Sequence, residues 1–127
     1  MHDELNIVHR DLKHDNILLG LKSADPWNED ERQPTIKVCD FTTAQIMTGD
    51  ANTFKVDMHA GTKAFNAPEV FEGQDYLAKP LDVWSFGIVL FVYMTLNLPF
   101  DHKLEDQAFE EAIKTTDYNS LIDTEFK

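Results

Sequence analysis

Eighteen consecutive residues, Val83 to Phe100, carry no charged side chain, in a chain where 27% of residues are Asp, Glu, Lys or Arg. Pro80 suits a first helical turn, where its missing N–H costs nothing. The stretch behind it, Leu81 to Leu96, reads as a helix that is apolar around its whole circumference rather than along one stripe. Such a helix has to be covered on all sides, by other elements or by lipid. The run meets the lower limit for a membrane span, about 18 residues. Ser85, Gly87, Thr95, Asn97 and Pro99 dilute it, and this favours a buried core helix over a single-pass anchor. Partition into a membrane fraction would decide for the anchor.

The rest of the chain has to supply the cover. A length of 127 residues suffices for one modest domain, burying roughly two-thirds of its unfolded surface. An apolar content of 43% with nine Phe fits a packed core rather than disorder. Leu104, Ala108, Phe109, Ala112 and Ile113 are spaced for an amphipathic helix over Leu104 to Thr115. Met1 to Ile7 reads as the end of a helix. Ile17 to Leu19 and Thr35 to Cys39 read as short strands. Between them, Gly20 to Pro34 is polar and long for a hairpin connection, so it is expected to be an inserted surface loop. Asp40 to Glu69 has little periodicity and reads as a loop. Ala67 to Gly73 is expected to be a short helix with Gly73 just past its end. Nothing compact is expected near Lys127. The fold class expected is α+β, mainly α.

Charge and cysteine content narrow the partners. A formal net charge of −12 argues against nucleic acid and against an anionic membrane surface. The one cysteine, Cys39, excludes an internal disulfide and a multi-cysteine metal site, and suits a reducing compartment. Met1-His2-Asp3-Glu4 lacks the basic and apolar regions of a secretory signal, so a cytoplasmic location is expected.

The chemistry concentrates at His9-Arg10-Asp11-Leu12-Lys13-His14-Asp15-Asn16. A carboxylate held beside a cation keeps its charge and can orient a hydroxyl. A side-chain amide five residues on offers an oxygen to a hard cation. Further along stand Asp40-Phe41-Thr42, Gly61-Thr62, Ala67-Pro68-Glu69 and Asp82-Val83-Trp84-Ser85-Phe86-Gly87. The order and spacing of these motifs resemble the protein kinases, whose catalytic loop reads H-R-D-L-x-x-x-N and is followed by D-F-G and A-P-E. Lys13 and Thr62 resemble the serine/threonine form. The stretches Tyr76 to Asp82 and Leu98 to Asp101 look most like the calcium/calmodulin-dependent and Snf1-like branch.

The resemblance implies a kinase-like large (C-terminal) lobe comprising a catalytic loop, a short β-hairpin, an activation segment and a buried central helix. It implies ATP and Mg2+ as cofactors and a Ser- or Thr-bearing protein as substrate. Asp11 would orient the substrate hydroxyl and accept its proton. Lys13 would neutralise charge on the transferred phosphoryl group, and Thr62 would tie the substrate-docking loop to both. Asn16 and Asp40 would hold Mg2+, and Leu18 would lie under the adenine ring. His9 would pack in the core, with Phe41 reorienting together with Asp40. Asp82 would accept hydrogen bonds from the catalytic-loop backbone. Cys39 would face the nucleotide pocket, or serve as a small core residue.

Three departures stand out. Thr42 replaces the D-F-G glycine, and a β-branched residue at positive φ would be strained. Met58 occupies the usual activation phosphosite; Asp57 beside it would stand in as a fixed anion for Arg10, with Thr53 and Thr48 as competing phosphosites. Glu69 lacks the expected arginine, the only arginines being Arg10 and Arg32. The five glycines make no G-x-G, and no V-A-I-K lysine precedes the loop. Residues 1–127 are therefore expected to form a partial domain without the small lobe or the end of the large lobe. On its own the chain is expected to bind ATP poorly and to be inactive. The alternative is a non-catalytic kinase-like module that binds a partner through exposed lobe surface.

Overall fold

The computed structural model describes residues 1–22, 33–47, 53–54 and 60–125. A one-turn helix, α1 (His2–Leu5), leads into β1 (Ile7–Val8). A 3-10 turn over His14–Asn16 opens β2 (Ile17–Lys22), which pairs antiparallel with β3 (Gln33–Val38). β4 (Gln45–Ile46) returns to pair with β1. β5 (Thr53–Phe54) pairs with β6 (Tyr76–Leu77), which runs directly into α2 (Ala78–Thr95). Two further helices follow, α3 (Asp106–Thr115) and α4 (Tyr118–Glu125).

Both hydrophobic clusters are built on α2. Leu81, in its first turn, packs with Val8, Met47, Val70 and Tyr76. Ile88 and Val89, two turns on, pack with Phe65, Phe100, Phe109 and Ile113. Phe109 and Ile113 are wholly buried and stand four residues apart on α3. That is the spacing that aims two side chains down one helix face. Each contributes roughly 2 kcal/mol of apolar burial. A 3-10 turn over Pro68–Phe71 ends before Gly73 at φ 68, as the sequence leads one to expect.

The expectation that α2 is buried on all sides is corrected. Val83, Phe86, Leu90, Tyr93 and Met94 are exposed, at 46–67% of their surface. They recur every three or four residues, so they share one side of the helix, while Leu81, Ser85, Ile88 and Val89 on the other side are buried. No described element covers that outer side. Among the described residues no helix is long and apolar enough to cross a membrane.

Two other expectations change. The hairpin strands run further than read from the sequence, to Lys22 and from Gln33; residues 23–32 between them lie outside the described residues. Past Thr115 the chain forms α4. Its first residue, Tyr118, donates from its hydroxyl to the Ile113 carbonyl at 2.6 Å. The Tyr118 ring meets Trp84 and Phe100 edge-on. Trp84 lies parallel to Phe100, with centroids 6.5 Å apart and planes 5° from parallel. The buried Trp84 indole N–H finds no hydrogen-bond partner among the described residues.

Candidate active site

The loop between β1 and the 3-10 turn is fixed from beneath by a single side chain. Asp82, in the second turn of α2 and 3% exposed, accepts the His9 N–H at 2.8 Å on one oxygen and the Arg10 N–H at 2.9 Å on the other. His2 of α1 adds a third contact, with Nε2 2.7 Å from Oδ2. An α2 carboxylate thereby sets the height and orientation of the loop. Arg10 takes a left-handed conformation, φ 69, which turns the chain toward Asp11.

His9 is buried and reaches both ways. Asp11 N–H donates to its Nδ1 at 3.3 Å, and Nε2 lies 3.0 Å from the Cys39 carbonyl. This pair of contacts is consistent only with the tautomer protonated at Nε2. The Thr43 hydroxyl donates to the His9 carbonyl at 3.0 Å, and the Phe41 ring stands edge-on to the imidazole, 4.8 Å between centroids. One histidine thus joins the loop to residues 39–43.

Asp11, Lys13 and Thr62 close a triangle. The Thr62 hydroxyl donates to Asp11 Oδ1 at 2.7 Å and accepts from Lys13 Nζ at 2.8 Å; Lys13 Nζ lies 3.1 Å from Asp11 Oδ2. Asn16, buried, donates from Nδ2 to the Asp11 carbonyl at 2.9 Å and more weakly to Oδ2 at 3.4 Å. The Asp11 side chain is 11% exposed and that of Lys13 22%. A charge pair so far withdrawn from water interacts more strongly than a surface pair.

Asp40 joins this group through the backbone. Cys39 N–H donates to the Asn16 carbonyl at 2.9 Å, and the Cys39 thiol lies 3.5 Å from the same oxygen. Asp40 has φ 60, and its Oδ1 accepts from the Thr42 hydroxyl at 2.6 Å and the Thr42 N–H at 3.4 Å. These two bonds hold the Asp40 carboxyl below its usual range against the opposing effect of burial, and the nearby positive charge of Lys13 adds a lesser push in the same direction. Asp40 Oδ2 and the Asn16 amide oxygen are hard donors of the kind that Mg2+ takes one or two at a time, completing its shell with phosphate and water. Among the described residues no cluster of three or more His, Cys, Asp or Glu could hold a metal by itself.

The strain expected at Thr42 is corrected: Thr42 is not at positive φ, and within this site the non-glycine residues at positive φ are Arg10 and Asp40 instead. Leu18 sits two residues beyond Asn16 on β2 and is half exposed. Phe41 is also half exposed. Glu69 is partly buried, close enough to Tyr76 to add to the burial that raises the Tyr76 hydroxyl, which Arg10 opposes. Asp57, Met58 and Thr48 lie outside the described residues, as does the side chain of Thr53. The expected pairing of Asp57 with Arg10 therefore falls outside the described residues; among the described contacts, the Arg10 guanidinium donates to Gln45 Oε1 at 3.1 Å.

Four contributors were missed from the sequence: His2, Gln45, Thr43 and the conformation of Gly61. Gly61 has φ 90, and a Cβ there would lie 2.2 Å from the Arg10 carbonyl oxygen. The glycine before Thr62 was itself a signal, since two backbones can pass so closely only where a side chain is absent. Lys63, the next residue, anchors this segment to α3 by donating to the Leu104 carbonyl and to Asp106.

The Protein kinase domain family matches residues 1–127. The DNA damage response protein kinase DUN1 of Saccharomyces cerevisiae is 35% identical over 126 residues, 91% of this chain and 23% of that protein. SNF1-like protein kinase ssp2 of Schizosaccharomyces pombe is 40% identical over 105 residues, 83% of this chain and 16% of its own length. Human serine/threonine-protein kinase D2 is 40% identical over 104 residues, 80% of this chain and 10% of its own length. The chain thus spans less than a quarter of these relatives.

Proposed function

This chain belongs to the serine/threonine protein kinases, and from that premise we propose that it carries the phosphoryl-transfer centre of such an enzyme within a large-lobe portion of the domain. The observation that bears most on this reading is the closed triangle of Asp11, Lys13 and Thr62, with Asn16 against it. Phosphoryl transfer asks little covalent chemistry of the protein and much positioning of charge. Asp11 would orient the hydroxyl of a substrate Ser or Thr and take its proton. Lys13 would sit against the transferred phosphoryl group, and Thr62 would hold both while joining them to the substrate-docking segment.

Asn16 and Asp40 would hold Mg2+, which supplies neutralisation of the nucleotide phosphates when bound. Leu18, on the exposed face of the hairpin, would support the adenine of ATP. The sequence likeness to an Snf1-like kinase supports placement near that branch. Asp57 facing Arg10 remains a proposal resting on sequence alone.

The test is a graft. Residues 1–115 replace the corresponding segment of the Snf1-like kinase ssp2, and peptide phosphorylation is measured. The graft is expected to be active, and Asp11→Asn within it should lower turnover by about a thousandfold, within the range seen for losing a general base. A soluble graft without activity, or one indifferent to Asp11→Asn, would overturn the assignment.

A further inference from the structure

Thr42 stands where the kinase resemblance leads one to expect glycine, and its backbone makes no use of the left-handed region that glycine would open. Its side chain does something glycine cannot. Among the described residues, both hydrogen bonds received by the Asp40 carboxylate come from Thr42, one from the hydroxyl at 2.6 Å and one from the N–H at 3.4 Å, and both fall on Oδ1. Asp40 itself holds φ 60, in the left-handed region that Asp tolerates better than most residues with a Cβ.

The neighbouring residues are fastened by other means. Cys39 bonds to Asn16 and His9, Phe41 packs on His9, and Thr43 bonds to the His9 carbonyl. Those contacts fix the path of the backbone. They leave the Asp40 carboxylate to rotate about its own side-chain bonds unless Thr42 stops it.

We propose that Thr42 is a positioning residue whose hydroxyl locks the Asp40 carboxylate in one orientation and so keeps residues 40–42 from turning over as a glycine-bearing segment could. An ionised carboxylate has acceptor sites on both oxygens, so Oδ1 can keep the hydroxyl while Oδ2 stays open to a hard divalent cation. The consequence for cation binding rests on Asp40 being a cation ligand, as proposed above. The locking itself does not.

The experiment compares wild type with Thr42→Ser, Thr42→Val and Thr42→Gly in the full chain. Two signals are followed by NMR: amide exchange at Cys39 and Ala44, whose N–H groups bond to the Asn16 and Phe41 carbonyls, and broadening of the Asp40 amide and Asn16 side chain by Mn2+. Valine keeps the β-branch and removes only the hydroxyl. Thr42→Val and Thr42→Gly should speed Ala44 exchange about tenfold, the scale of one hydrogen bond to a charged acceptor. Both should weaken Mn2+ broadening by a similar factor, without a matching fall in melting temperature. Thr42→Ser should stay within about twofold of wild type on both signals.

Unchanged exchange in Thr42→Val, tighter Mn2+ binding in that variant, or Thr42→Ser behaving like Thr42→Val would each overturn the proposal. Absence of Mn2+ broadening in wild type would instead remove Asp40 as a cation ligand. The exchange rates then decide alone: faster exchange in Thr42→Val upholds the lock, and unchanged exchange overturns it.

Discussion

Asp82→Ala is expected to lower the melting temperature by roughly 10 °C or more, as read by the cooperative thermal transition. The carboxylate takes the His9 and Arg10 N–H groups on separate oxygens and His2 besides, in a position almost sealed from water. Alanine would leave those donors without acceptors, and each buried donor so stranded costs about 1–3 kcal/mol. The sum over the two backbone donors, about 2–6 kcal/mol, is a large part of the roughly 5–15 kcal/mol that holds a domain together. Asp82→Asn should fall between, because its one remaining oxygen can serve only some of the donors. A melting temperature for Asp82→Ala within about 3 °C of wild type would mean that the loop is held by something other than α2.

The second large effect is expected at a glycine. Gly61→Ala sets a methyl carbon 2.2 Å from the Arg10 carbonyl oxygen, closer than any real contact, and does so at φ 90. The clash is backbone against backbone, so no rotamer relieves it. One strand of the crossing has to move, and Thr62 moves with it, away from Asp11 and Lys13. A loss of about 3 kcal/mol is expected, roughly 10 °C in melting temperature.

Gly73→Ala is the control, because Gly73 is also left-handed, at φ 68, but has open space where a Cβ would go. It should cost only the backbone term, about 1 kcal/mol. Equal effects at the two glycines would show that the close approach to Arg10 carries no weight.

Much of this arrangement was legible in the sequence because it lies in local, repeated rules. The α3 spacing gave Phe109 and Ile113 the same face, and both are buried. The two short apolar runs, Ile17 to Leu19 and Thr35 to Cys39, read as strands, and the resemblance carried by the motif order implied both their hairpin and the grouping around Asp11. Features that depend on contacts far apart in the chain were not legible. Whether an apolar helix is covered on every side is a property of its neighbours, and the side of α2 bearing Val83, Phe86 and Leu90 is left exposed by the described elements. The bond from His2 to Asp82 spans 80 positions and leaves no periodic trace. At Thr42, the family pattern suggested a strained backbone, whereas the unusual torsion sits on Asp40 and the hydroxyl turns inward to meet it.

The parallel stacking of Trp84 on Phe100, with the indole N–H sealed away and unbonded among the described residues, gives the protein an optical reporter of its own. An indole shielded from solvent dipoles fluoresces at shorter wavelength than one in water, so light from this position reports whether α2, the turn at Phe100 and the start of α4 remain docked. With the other tryptophan, Trp27, replaced by phenylalanine, a red shift would mark the parting of that joint during melting, before or together with the loss of helix.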